Sequence, residues 1–134
     1  MKLEHRLKKT TDQVFDNLTE PQKFVAAHPV ITKMEVIGKD KYLVSETLRL
    51  GFVPCAFKYV ATVIGDYERK KVVMYATVMK INRIEMVFNL EEQGTGCVVR
   101  EEISVRSPLP IKSLMEKIFE KHHTQLFKNI DNAK

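Results

Sequence analysis

Residues 107–130 read SPLPIKSLMEKIFEKHHTQLFKNI, which the spacing predicts to be one long helix. At about 100° per residue, Ile111, Leu114, Met115, Ile118, Phe119, Leu126 and Ile130 fall on one broad apolar stripe. His122 falls near the middle of that stripe, and its neighbour His123 diverges from it by about 100°. Ser107 is the expected cap, with Pro108 or Pro110 tolerated in the first turn, where a missing N–H costs nothing. Burying these side chains at ~1.5–3 kcal/mol each is worth on the order of 10–20 kcal/mol as an upper figure. Such a stripe cannot stay in water, so the residues upstream must supply a surface for it.

Those residues alternate with period two for most of the chain, which predicts strands. The runs are VITKMEVIG (30–38), YLVSETLRL (42–50), CAFKYVATVIG (55–65), KVVMYATVM (71–79), RIEMVFNLE (83–91) and CVVREEISVR (97–106). They are separated by short turns, among them GKDK from Gly38, a Gly-Phe-Val-Pro loop at 51–54 and Gly94-Thr95-Gly96. Parallel pairing would need crossovers of a dozen or more residues, so the sheet is expected to be an antiparallel meander. Before it, KLEHRLKK (2–9) alternates as a half-buried strand carrying Leu3, His5 and Leu7 on one side. Thr10 followed by Gln13 is a capping-box signature for a short helix carrying Val14, Phe15 and Leu18. Pro21 ends that helix and opens a second through Phe24, Val25 and Ala26, which His28-Pro29 stops.

The order of elements resembles the helix-grip superfamily, also called SRPBCC, which includes START lipid-transfer domains, birch-pollen-allergen-like proteins and polyketide cyclase/dehydrase-like proteins. The resemblance rests on TTDQVFDNLTEPQKF after a single strand, on the strand series from VITKMEV to CVVREEISV, and on the final SPLPIKSLMEKIF helix. It spans nearly the whole chain and implies an α+β fold: a curved antiparallel sheet of about seven strands wrapped around a long C-terminal helix, with two short helices after the first strand. It also implies a ligand cavity between sheet and helix. Members of such a superfold do many different things, so the layout alone assigns no reaction.

Taken literally, the alternation points a few polar residues at the same interior. Leu3-His5-Leu7, Tyr42-Val44-Glu46-Leu48-Leu50, Phe57-Tyr59-Ala61-Val63 and Val99-Glu101-Ile103-Val105 are the interrupted faces, and Val72-Met74-Ala76-Val78 and Ile84-Met86-Phe88-Leu90 are uninterrupted. His5, Glu46, Tyr59, Glu101 and His122 are therefore candidates to orient a ligand, with Met74, Met86 and Met115 as adaptable apolar wall. Each also has a plainer reading. A one-residue slip at a bulge turns a strand residue outward, buried polar groups commonly pair with backbone or one another, and methionine is ordinary core filling. Val60, Thr62, Ile64, Val73 and Tyr75 fall on the opposite face, where a homodimer contact is one reading and scattered exposed apolar residues the other.

At 134 residues and 44% hydrophobic, the chain is expected to be a single domain, 1–134, with a real core. The charged start lacks the apolar middle of a secretory signal, and no apolar run approaches the ~20 residues a membrane helix needs, so a soluble cytoplasmic protein is expected. Cys55 and Cys97 have no zinc-like spacing and read as reduced thiols. The net charge of +5 comes from lysines scattered among glutamates, with no basic run interleaved with aromatics, which argues for a solvated surface and against nucleic acid. There is no P-loop, GxGxxG, GxSxG or HExxH, and adjacent His122 and His123 lack the i, i+4 spacing of a metal pair, so neither cofactor nor metal is expected. The expected function is binding or carrying a small hydrophobic ligand, such as a lipid, an isoprenoid or a polyketide-like ring. A cyclase or dehydratase using acid–base residues in the same cavity and a protein–protein module of the same fold are the alternatives.

Overall fold

The computed structural model describes residues 1–50 and 52–133, with the Leu50 side chain outside the description. The elements run β1 (Lys2–Leu7), α1 (Thr11–Thr19), α2 (Pro21–Ala27), β2 (Ile31–Gly38), β3 (Lys41–Leu50), β4 (Val53–Asp66), β5 (Lys71–Val78), β6 (Asn82–Gln93), β7 (Gly96–Arg106) and α3 (Lys112–Asn132). The seven strands form one sheet in the order β1-β7-β6-β5-β4-β3-β2, antiparallel at every step. Only β1 leaves the meander, crossing through α1 and α2 so that the first and last strands of the chain pair side by side. Bulges at Ile31/Lys33 and Val36/Gly38 break the register of β2 on β3. Bulges increase local twist and bend, which suits a sheet that curls around a helix.

Local chemistry sets the small helices. Thr10 accepts from the Gln13 backbone N–H while the Gln13 side chain accepts from the Thr10 N–H, a complete capping box. Pro21 occupies the first turn of α2, and His28 caps its end, its Nδ1 accepting from the N–H groups of Val30 and Ile31. Val14, Phe15 and Leu18 of α1 are buried against one end of the sheet. Gly65 and Gly96 are places where a side chain would collide. A Cβ at Gly65 would sit 2.9 Å from Phe15 and Thr19 of α1, and one at Gly96 would sit 2.2 Å from the Leu7 carbonyl oxygen.

The long helix differs from the expectation at its start. It begins at Lys112, and Ser107 does not cap it; the Ser107 Oγ accepts from the Leu109 N–H in the preceding loop, and Ile111 stands at the cap without a side-chain bond. Two prolines within four residues keep 107–111 out of the helix, because each disfavours helical backbone in the residue before it. β4 likewise starts earlier than expected, at Val53; Gly51 of the anticipated loop and the inward direction assigned to Leu50 lie outside the described residues. Among the described residues, no helix is long and apolar enough to cross a membrane. Both cysteines are free thiols.

α3 meets the sheet along its second half. His123, Leu126, Phe127 and Ile130 are buried there, joining Val14, Leu18, Val72, Phe88 and Val99 in the main core. Toward its N-terminus Met115, Ile118 and Phe119 are half-buried, and Met115 and Phe119 pack on the Ile84, Ile103 and Val105 cluster of β6 and β7. The convex face of the sheet exposes Val60, Ile64 and Tyr75.

Candidate functional site

Between β3–β6 and the N-terminal half of α3 lies a cavity of about 280 Å³. β3, β4, β5 and β6 give it a concave floor that includes Val44, Ala61, Val63, Met74, Ala76 and Met86, and α3 roofs it with Met115, Ile118 and Phe119. The strand alternation places these side chains, since every second residue of a pleated strand faces the same way. No lysine or arginine is among the described lining residues; the polar ones are His28, Glu46, Tyr59, Asn82, His122 and His123, with Tyr75 at the margin.

Three of the sequence-derived candidates form the apolar wall, because Met74, Met86 and Met115 all reach the cavity. Glu46, Tyr59 and His122 also line it, whereas His5 and Glu101 do not. His5 Nε2 lies 3.0 Å from Glu101 Oε1, and His123 Nδ1 bonds the other carboxylate oxygen, Oε2. Glu101 is thus clamped between β1 and α3 behind the cavity wall, 1% exposed, and the His5 ring stacks on Phe127 at 4.2 Å. The period-two pattern was right that both residues face inward, but the interior there is filled by the helix.

The histidine at the centre of this arrangement is His123, a correction to the helical projection. His122 is half-buried at the cavity margin, while His123 is 4% exposed, with its ring against Phe88, Phe119 and His28. The stripe from Ile111 to Ile130 leaves out Phe127, which is 3% exposed. The fully buried face of the helix is that of Leu126, Phe127 and Ile130, which His123 shares. Phe127 was the missing clue: added to the stripe, it rotates the centre toward 123. His28 was read only as a helix stop; the His-Pro pair that ends α2 also turns its ring toward the cavity.

The electrostatics divide the site into a charged wall and a polar floor. Burial pushes the Glu101 carboxyl upward, but the charge and hydrogen bond of His123, followed by those of His5, outweigh it, so its pKa lies below the ordinary value. An ionised Glu101 is acceptor-only, so both histidines donate to it. Glu46 has no such partner. Burial raises its pKa to about 7, with the charge of His123 and the nearby Tyr59 hydroxyl offsetting part of the rise. Burial first, and then Glu46, push the Tyr59 phenol upward. Burial, with His123 and His122 adding to it, lowers His28 to about 3, so its Nδ1 stays free to accept from the backbone. The buried Asn82 side-chain oxygen, at the start of β6, has no hydrogen-bond partner.

Comparison with known proteins bears on the fold. No protein-family model matches the chain. No curated protein matches it in sequence either. Solved structures do match in shape. A conserved protein from Geobacillus kaustophilus superposes with a TM-score of 0.79 at 16% identity, covering 97% of this chain and 91% of that one. A START superfamily protein from Mycobacterium smegmatis gives 0.74 at 10% identity, covering 97% and 95%. The di-domain ARO/CYC StfQ from the steffimycin biosynthetic pathway gives 0.77 at 10% identity, covering 98% of this chain and 48% of the longer one. The chain shares the helix-grip fold of these structures.

Proposed function

We propose that the protein binds a small hydrophobic molecule between the sheet and α3 and serves as its carrier. The observation that supports this reading is the cavity itself, about 280 Å³ lined almost wholly by methionine, aliphatic and aromatic side chains. Its volume is the room of roughly nine waters at ~30 Å³ each, which suits two or three fused rings or a short isoprenoid better than a long lipid. A well-packed interior has few voids larger than a water molecule, so leaving this one costs stability that a ligand restores. The unpartnered Asn82 oxygen favours a ligand with a hydroxyl or N–H donor, which would satisfy a group the protein leaves open.

The test is displacement of a fluorescent hydrophobic probe by a panel of uncharged polycyclic and isoprenoid alcohols, together with their effect on melting. The carrier reading predicts probe binding that these molecules compete away. A ligand at a hundredfold excess over its Kd should stabilise the fold by ~2.7 kcal/mol. Ala76→Phe, which fills the cavity floor, should lose the probe while remaining folded. A probe that does not bind, or that binds equally well to Ala76→Phe, would count against the reading.

A further inference from the structure

The meander brings the β3–β4 turn, the β5–β6 turn and the loop from β7 to α3 to the same end of the sheet. That end is where the cavity reaches Leu48, Cys55, Met79, Ile111 and Leu114. It also carries exposed apolar side chains that no core claims: Phe52 is 99% exposed, Met79 71%, Val53 65%, Leu114 56%, Leu109 47% and Ile81 46%. Singly exposed apolar residues need no explanation, but four on three loops at one end of the sheet, with Val53 at the start of β4 and Leu114 in the first turn of α3, form a patch. Met79 and Lys80 adopt φ of 56° and 64°, left-handed conformations that are unfavourable for side chains of this size. The β5–β6 turn thus holds its methionine out at a backbone cost.

Charge indicates what this end meets. Arg49, Lys80, Arg83, Arg106 and Lys112 stand on or beside the three loops, and none makes an ion pair among the described residues. The nearest carboxylates do little to balance them. Glu46 faces the cavity, Glu116 lies 3.9 Å from the terminal ammonium of Met1, and Glu85 alone is exposed. Two copies meeting here head-on would set cations against cations, which disfavours a symmetric dimer. An apolar centre ringed by lysine and arginine is the composition of a surface that inserts into the headgroup layer of an anionic bilayer.

We infer that this end docks on an anionic lipid surface, with Phe52, Met79 and Leu109 entering the headgroup region and the cations on lipid phosphates, so that the cavity opens toward the acyl chains. Docking stands on the rim; its purpose, moving an apolar ligand between membrane and cavity without crossing water, rests on the carrier reading. Co-sedimentation with vesicles of phosphatidylcholine alone, and of equal parts phosphatidylcholine and phosphatidylglycerol, tests it. Binding should require the anionic lipid and weaken with salt. Lys80→Gln with Lys112→Gln should reduce partitioning roughly 25-fold, at ~5-fold per charge. Phe52→Ser with Leu109→Ser should reduce it as well, and because none of these four residues lines the cavity, probe binding should be unchanged. Absence of binding to either vesicle, or binding indifferent to both double variants, overturns the inference. So does sedimentation velocity showing a dimer that Phe52→Ser with Leu109→Ser dissociates. A protein that holds the probe but ignores vesicles loses only the docking inference; one that binds vesicles but no probe loses only the carrier reading.

Discussion

Glu101→Leu is expected to cost the fold ~3–5 kcal/mol, because it removes the acceptor that holds two buried imidazoles at once. Glu101, on β7, bonds both His5 on the first strand and His123 on the last helix, so its loss removes the side-chain link between the two ends of the chain. Leucine fills much of the same volume, which leaves the unpaired N–H groups as the main penalty. For a domain of this size the melting temperature should fall by roughly 10 °C or more. Glu102→Leu is the matched control: its side chain is 59% exposed and meets only Lys2, so it should move stability by ~0.5 kcal/mol or less. Urea denaturation of both variants checks this, and a Glu101→Leu protein as stable as the Glu102→Leu one would show that the clamp carries no weight. The pH dependence has a definite sign. Glu101 titrates below its ordinary value of 4.5 in the folded state, so its contribution is present above that value and is lost as pH falls through the lower folded one.

Glu46→Gln should do the opposite at alkaline pH. The folded carboxyl titrates at about 7 against an ordinary 4.5, so the folded state prefers the protonated form. Stability from that preference is complete below pH 4.5 and is lost as pH rises from 4.5 through 7. Above that the ionised carboxyl carries a penalty of ~3 kcal/mol, from the gap between the two values. Glutamine cannot ionise, so Glu46→Gln should be more stable than the parent at pH 8 by up to ~3 kcal/mol and equal to it near pH 4.5. His28 titrates in an overlapping range with the reverse sign, its folded value of about 3 lying below the ordinary 6.5, so its contribution falls away as pH drops below 6.5. It is common to both proteins and cancels in the difference. Paired urea melts across this range read the effect, and a difference that does not change with pH would place Glu46 in water.

The layout was legible because its signals are local and repeated. Thr10 and Gln13 announce the first helix, Pro21 the second, and six turn-bounded runs of period two announce a meander whose inward residues can be counted off one strand at a time. Met74, Met86 and Met115 reach the cavity for that reason. What the alternation does not encode is how far the roof sits from the floor at each point. His5 and Glu101 point inward as expected, yet His123 and Phe127 of α3 fill the space in front of them, while Glu46 and Tyr59, equally inward, face the cavity. The choice between His122 and His123 depends on the roll of one helix on the sheet, a tertiary quantity fixed by Leu126, Phe127 and Ile130 packing on Phe88 and Val99. The ring of apolar side chains and cations at the open end was invisible for another reason. Phe52, Met79 and Leu109 are far apart in sequence and become neighbours only when the three loops share one end of the sheet.

Methionine methyl resonances offer the most direct view of whether a ligand enters beneath α3. Met34, Met74, Met79, Met86 and Met115 line the cavity, whereas Met1 lies outside it, packed on Ile103 and Val105. Titrating methyl-labelled protein with a neutral polycyclic alcohol such as 2-naphthol should shift Met74, Met86 and Met115 together, saturably, and leave Met1 in place. Shifts absent from those three, or confined to residues of the convex face such as Ile64, would contradict a binding cavity between sheet and helix.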